Sequence, residues 1–546
     1  MRKWNLLMIL MLAICLLPGL APAEEVNPLT VPDEGFRIDG DGWYCVNAWC
    51  RNGEDDLFGR IYYPADFDGT KQYTTVLLVH GMTLNADFWH KCYAPELAKA
   101  GYVCYAFDER SGTEGGRGSY STPLESGVSG VTETVSDAAA ALDFIQTLDY
   151  VKKDSIYLFG NSKGSMAVQV LASQRSKEIA GVVALYGNIA GMSSDMVPMV
   201  DEVLAHPYDN GEVLVIWGAG DKGYSLDRSL ENMALYPEAT LVVISNAYHG
   251  FGNQFNRPAV ICAQEVIDFI DRTANGIPNL KKRESSATKE DLLAKEEGYT
   301  YAGNGYSCTV QHAVRDGVDI FGRMYFPADF DASRKYPVII AAHGGSGTAD
   351  VWDKTIAPRI VQQGECLVYA IDARSETEGG RGSYSTPLEN VKPGANSVES
   401  YAECLGIALE HVKSLEYVNR DGIYLMGGSK GGAAIQLAAS WYPEDINGLI
   451  IQCGALGDDI SFMIADYEAL KAAPYAGGEI LFVQGVNDDQ CLIARGESNM
   501  SWYDQYTFVA ISSTGHGFGY QNDRSTEVLV DSINEYIHRT WNHIGE

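Results

Sequence analysis

Short apolar runs alternate with longer amphipathic stretches along almost the whole chain, the pattern of an α/β protein whose mostly parallel strands are buried on both faces. In the first half the runs predict strands at Trp43–Trp49, Gly59–Tyr63, Val76–Val79, Val103–Phe107, Ile156–Phe159, Val182–Tyr186, Val213–Trp217 and Thr240–Ser245. The link between the first two is too short for a crossover helix, so that pair is expected to be antiparallel. Helix-like patterns over Met166–Ala172 and Ala433–Ser440 each begin shortly after a β-prone run, Ser155–Phe159 and Gly422–Met426.

The pattern occurs twice. Phe58–Asp68 returns as Phe321–Asp331 with few changes, and the thirteen residues Thr113–Glu125 reappear unchanged as Thr377–Glu389. A period this long is a duplicated domain rather than a solenoid. Residues 24–274 and 298–546 are expected to form two tandem domains, each with a mostly parallel eight-stranded sheet flanked by helices. The charged stretch 275–297, with Lys281-Lys282-Arg283-Glu284, reads as the linker.

Composition narrows the setting. A chain of 546 residues exceeds one hydrophobic core, and 46% hydrophobic with 21% charged residues is ordinary for a globular protein. Arg2 and Lys3, the apolar Leu6–Leu17 and Ala21-Pro22-Ala23 have the layout of a secretory signal, so residues 1–23 are expected to be removed. Loss of those two cations takes the net charge from −32 to −34, which disfavours nucleic acid and anionic membranes as partners. Of 11 cysteines, ten follow the signal, five in each half and without C-x-x-C spacing. They fit buried thiols better than a disulfide framework or a zinc site, and no metal or cofactor is expected.

Both halves carry Gly-x-Ser-x-Gly at the strand-to-helix junction, as Gly160-Asn161-Ser162-Lys163-Gly164 and Gly427-Gly428-Ser429-Lys430-Gly431. A serine on a tight turn between strand and helix stands clear of the sheet, and small flanking residues avoid collisions with both elements. Here the chain resembles the α/β-hydrolase superfamily, and the resemblance covers nearly all of both halves. It implies a Ser–Asp–His order, with the acid after the next-to-last strand and the base after the last. That places Asp221 and His249 with Ser162, and Asp488 and His516 with Ser429. Serine and aspartate are 59 positions apart in both copies, aspartate and histidine 28. Asp227 and Asp489 are the rival acids. The resemblance also puts an oxyanion hole at the backbone N–H groups of Met82 and Lys163, and of Gly345 and Lys430, after His80-Gly81 and His343-Gly344.

The remaining histidines, at 90, 206, 312, 411, 538 and 543, lack such context and are expected at the surface. Trp89 and Trp352 read as core residues. The loop Asp108–Tyr120 leaves a strand at its C-terminal end and either walls an acyl pocket or is an ordinary surface loop; it has no phosphate-cradling helix. The short serine-to-aspartate interval excludes a large lid, which resembles dienelactone hydrolases and cinnamoyl or feruloyl esterases. The expected function is an exported serine hydrolase of carboxylic esters, on small-molecule or glycan-linked substrates. A serine peptidase like the catalytic domain of prolyl oligopeptidases, acting on short peptides, is the alternative. A non-catalytic binding protein on hydrolase folds is a third reading.

Overall fold

Strands β1 (Arg37–Gly40), β2 (Trp43–Asn52), β3 (Asp55–Pro64), β4 (Tyr73–Val79), β5 (Val103–Phe107), β6 (Val151–Asn161), β7 (Gly181–Leu185), β8 (Glu212–Gly218) and β9 (Ala239–Ile244) make up the sheet of the first half of the computed structural model. Residues 27–544 are described, apart from 83, 111–118, 125–128, 194–196, 198, 224, 253, 275–286, 346, 354–355, 364–365, 376–383, 389–396 and 520–522. In space the order is β1-β2-β3-β5-β4-β6-β7-β8-β9, antiparallel from β1 to β5 and parallel from there to β9. The second half repeats it with β10 (Thr300–Gly303), β11 (Tyr306–Arg315), β12 (Val318–Pro327), β13 (Tyr336–Ala342), β14 (Leu367–Ile371), β15 (Val418–Gly428), β16 (Gly448–Gln452), β17 (Glu479–Gly485) and β18 (Tyr506–Ile511).

Each half therefore has nine described strands, not the eight expected. The additional one, Arg37–Gly40, is short and mostly exposed, so no apolar run announces it; main-chain pairing to β2 holds it. A larger departure lies between the halves. β9 and β18 pair antiparallel and merge the two expected sheets into one of 18 strands. Left alone, each would be an edge of unpaired N–H and C=O groups; together they satisfy one another.

The register of this seam is symmetric. Thr240 opposes Ile511, Val242 opposes Val509 and Ile244 opposes Thr507, and each residue's repeat equivalent lies 267 positions on. Buried ion pairs flank it reciprocally. Arg257 of the first half binds Glu479 of the second, and Arg524 of the second binds Glu212 of the first. Arg272 and Arg539 complete the pairing of each glutamate from its own half.

The core has two layers, one on each face of the sheet. Along β4, Leu77 and Val79 face the helices Val131–Gln146 and Lys163–Gln174, while Val76 and Leu78 face Asp87–Lys99 and Arg257–Ala274. Both layers continue from one half into the other. Trp89 and Trp352 are buried in the second of them. All ten described cysteines are buried and unbridged. The end of the stretch read as linker packs on the second half: Lys289–Leu293 is a short helix whose Asp291 and Leu292 carbonyls accept from Arg323. The first half has the same contact, from Arg60 to the Leu29 carbonyl.

Candidate active site

β6 and β15 end in the two serines. Ser162 and Ser429 have φ of 52° and 51°, a left-handed conformation that serine adopts only when its surroundings impose it. Their N–H groups bond the carbonyls of Leu185 and Gln452, and helices Lys163–Gln174 and Lys430–Trp441 start at the next residue. The glycines of the motif have a steric cause here. A Cβ at Gly164 would strike the Val79 carbonyl of β4, and one at Gly431 the Ala342 carbonyl of β13.

The strand order brings the distant polar residues to these serines. Asp221 follows β8 and His249 follows β9, both at the C-terminal ends of parallel strands, where α/β sheets bind ligands. The Ser162 hydroxyl donates to His249 Nε2 at 2.9 Å, and His249 Nδ1–H donates to Asp221 Oδ2 at 2.7 Å. In the second half the Ser429 hydroxyl lies 2.8 Å from His516 Nε2, and His516 Nδ1 is 2.9 Å from each oxygen of Asp488. Asp227 and Asp489 are exposed, outside either arrangement. Burial works against the charge of Asp488, yet the bond from His516 and the N–H groups of Cys491 and Gln490 outweigh it and hold the carboxyl below its ordinary range. The first histidine is the more open, its side chain 44% exposed against 16% for His516.

The His-Gly loops lie against the serines. A Cβ on Gly81 would sit 2.9 Å from Ser162 Cβ, and one on Gly344 3.4 Å from Ser429 Cβ. Met82, exposed at the surface, and Gly345 follow in these loops, and Lys163 and Lys430 begin the helices. His80 and His343 anchor the loops: Nε2 accepts from the N–H of Glu109 and of Ala373. Burial, together with Lys430 nearby, lowers His343 to about 4 against the opposing carbonyl of Gly344, so it is a neutral acceptor.

The halves differ beside the serines. Lys163 is buried, its ammonium 2.5 Å from Glu109 Oε1 and 2.9 Å from the Ser129 carbonyl, and Glu109 also accepts from Thr134. In the second half Ala373 takes the place of Glu109. Tyr186, whose ring centroid is 4.9 Å from that of His249, is replaced by Cys453. Both residues have positive φ, 38° and 40°. Cys453, Asp488 and His516 bring one donor atom each within 4.8 Å of one another. The sequence predicts no such cluster, because 35 and 28 positions separate its members and only the strand order joins them.

Other residues correct the sequence reading. His90, His312 and His411 are half-buried rather than at the surface, bonded to Tyr62, Asp319 and Gln311. The Glu109–Lys163 pair, with members 54 positions apart, has no sequence signal. Residues 111–118 of the loop read as either an acyl-pocket wall or an ordinary surface loop lie outside the described residues, as does the 1–23 segment read as a signal. The retained ends of that loop are structural. Asp108 accepts from the N–H of Ala86 and Tyr120, and Arg110 pairs with Asp55 and Asp137.

A model of the alpha/beta hydrolase fold family matches residues 74–203, which span the His-Gly loop, the serine turn and its helix. The chain has an α/β-hydrolase fold. Over 131 residues the chain is 30% identical to the uncharacterized protein YcjY of Escherichia coli K12, covering 24% of this chain and 41% of that one. Over 140 residues the chain is 25% identical to dipeptidyl-peptidase 5 of Porphyromonas endodontalis, covering 25% of this chain and 19% of the relative. The hydrolase-fold chain thus spans less than half the length of either curated relative. Among solved structures, Est1E from Butyrivibrio proteoclasticus superposes with a TM-score of 0.33 and 15% identity, covering 43% of this chain and 99% of that one.

Proposed function

We propose that the chain is an exported serine hydrolase that cleaves carboxylic esters through an acyl-enzyme, with one site in each half. The observation that carries this reading is the continuous Ser–His–Asp hydrogen-bonded line, present twice, with each serine held on a left-handed turn. Serine alone is a poor nucleophile at neutral pH. As Ser162 Oγ attacks the ester carbonyl carbon, its proton passes to His249 Nε2, while Asp221 fixes the Nδ1–H tautomer and stabilises the imidazolium. The carbonyl oxygen, now negative, is met by the backbone N–H groups of Met82 and Lys163. Collapse expels the alcohol, which takes the proton from His249; water then repeats the sequence and frees the acid. Ser429, His516, Asp488, Gly345 and Lys430 have the same roles in the second site.

Between serine and aspartate the first half places a helix, β7, the short helix Val200–Ala205 and β8, which leaves no span for a large cap among the described residues. With the 44% exposure of His249, this supports an open first site that admits bulky alcohol groups. Neutral acyl groups, such as acetyl or hydroxycinnamoyl on plant polysaccharide fragments, suit a chain of net charge −32, which repels polyanions. No described helix is long and apolar enough to cross a membrane. Export rests on the 1–23 segment.

The stretch similar to a dipeptidyl-peptidase supports a second reading, hydrolysis of short peptides, since the same histidine can protonate a leaving amine. The deciding measurement is a panel of chromogenic esters of increasing acyl length beside dipeptide arylamides, run with Ser162→Ala, Ser429→Ala and the double variant. Esters are expected to have the higher kcat/KM, each single variant to keep part of the activity and the double variant none. Arylamides turned over faster than every ester would replace this reading with the peptidase. Absence of labelling by a serine-directed fluorophosphonate would replace it with a binding protein.

A further inference from the structure

The two sites share serine, histidine and aspartate but not the residue behind the imidazole. In the first half that residue is Tyr186, whose hydroxyl accepts from Asn161 and donates to the Phe251 carbonyl. In the second it is Cys453, and the thiol, the Asp488 carboxylate and the His516 ring come within 4.8 Å of one another. Thiolate, imidazole and carboxylate are the donor set that a tetrahedral zinc ion takes, at about 2.0–2.3 Å from each ligand. Donors around such an ion lie about 3.5 Å apart. The site needs the 2.9 Å His516–Asp488 contact to open by less than about an ångström and the Cys453 thiol, within 4.8 Å of both, to close by up to about 1.3 Å, with solvent or substrate in the fourth position.

We infer that the second half holds an inhibitory site for a thiophilic divalent cation such as Zn²⁺, formed by Cys453 Sγ, Asp488 and His516 Nδ1, which the first half lacks. The chemistry of inhibition follows from the imidazole. In the active state Nδ1 carries the proton and Nε2 accepts from Ser429. A cation on Nδ1 displaces that proton to Nε2, and the Cys453 thiol gives its own proton to solvent as the metal–sulfur bond forms. Nε2–H cannot take the serine proton, and Asp488 is turned to the metal. No electron changes hands, one proton is released per ion, and removal of the ion restores the base.

The inference depends on the proposed serine chemistry only for its effect on turnover, so binding is read separately. Full-length protein is titrated with Co²⁺, and a thiolate-to-cobalt charge-transfer band is followed. One equivalent is expected to develop the band, and Cys453→Ala and Cys453→Tyr, the latter restoring the first half's residue, to abolish it. Circular dichroism melts of both variants show whether the fold persists. Zn²⁺ is then expected to slow ester hydrolysis, and fluorophosphonate labelling of the one remaining serine, at least about tenfold more potently in Ser162→Ala, which keeps Ser429, than in Ser429→Ala, which keeps Ser162. Cys453→Ala in the Ser162→Ala background is expected to lose that sensitivity relative to its own metal-free rate. A band that survives in a folded Cys453 variant, or equal zinc sensitivity of both sites, overturns the inference. If neither serine labels in metal-free protein, the proposed function fails, and the cobalt band alone decides the metal site.

Discussion

Val242 of β9 lies opposite Val509 of β18, and the two are the same position of the repeat. A twofold axis through this pair relates the strand pairings on its two sides, Thr240–Ile511 to Ile244–Thr507 and Leu241–Ala510 to Val243–Phe508, as in an isologous dimer interface.

The glutamates beside the seam should set the acid limit of stability. Burial opposes their charge, but Arg272 and Arg524 at Glu212, and Arg539 and Arg257 at Glu479, outweigh it and bring both carboxyls down to about 2. A folded-state value below the ordinary 4.5 gives stability that is full above pH 4.5 and lost as pH falls toward 2. Glu479→Gln and Glu212→Gln should each cost about 3 kcal/mol at pH 7 and flatten the acid limb of a thermal-melt series. A variant that melts like the parent at pH 7 would show that the seam does not depend on these pairs.

Glu265 should act in the opposite direction. It is buried on the helix Arg257–Ala274, and burial, with Glu535 nearby, pushes its carboxyl up to about 8. A raised folded-state value gives stability that is full below 4.5 and falls as pH rises through 8. Melting temperature should decline as pH rises toward 8, and Glu265→Gln, which stays neutral, should lessen that slope, the rest coming from buried Asp268 and Glu535, whose carboxyls burial also raises.

Removal of Glu109 leaves the Lys163 ammonium buried without its carboxylate, both side chains being 5% exposed. Glu109→Ala should cost about 3–5 kcal/mol in chemical denaturation and weaken the first site, while Glu109→Ala with Lys163→Met should cost less than the single change. Equal losses in the single and double variants would mean that the pair is not held as buried ions.

Asp221→Asn in the Ser429→Ala background, and Asp488→Asn in the Ser162→Ala background, should each lower kcat about 10⁴-fold. Each amide destabilises the Nδ1–H tautomer that its histidine needs. A loss below tenfold in either would mean that another group orients that ring.

The Ser–His–Asp constellation was legible because its parts sit at fixed places in a linear order: a serine between two glycines, then an aspartate and a histidine at matching intervals in both halves. The steric demand at Gly164 and Gly431 marks the serine turn within five residues of sequence. What stayed hidden needed topology. β9 and β18 are apolar runs that look alike whether they face solvent or another strand, so nothing local announced the seam. Arg37–Gly40 pairs through its main chain and has no hydrophobic signature. Cys453 looked like any buried thiol, because its neighbours come from loops after two other strands. His90 and His312 became half-buried through partners that periodicity does not reveal.

A symmetric seam inside one polypeptide also changes what evolution can do with it. In a dimer of identical chains every substitution arrives twice, and association depends on how much protein is present. Joined in one chain, the halves meet at a fixed effective concentration however dilute the protein becomes. Each copy can then change without imposing that change on its twin. Tyr186 and Cys453, at equivalent positions behind two otherwise matching imidazoles, are such a divergence.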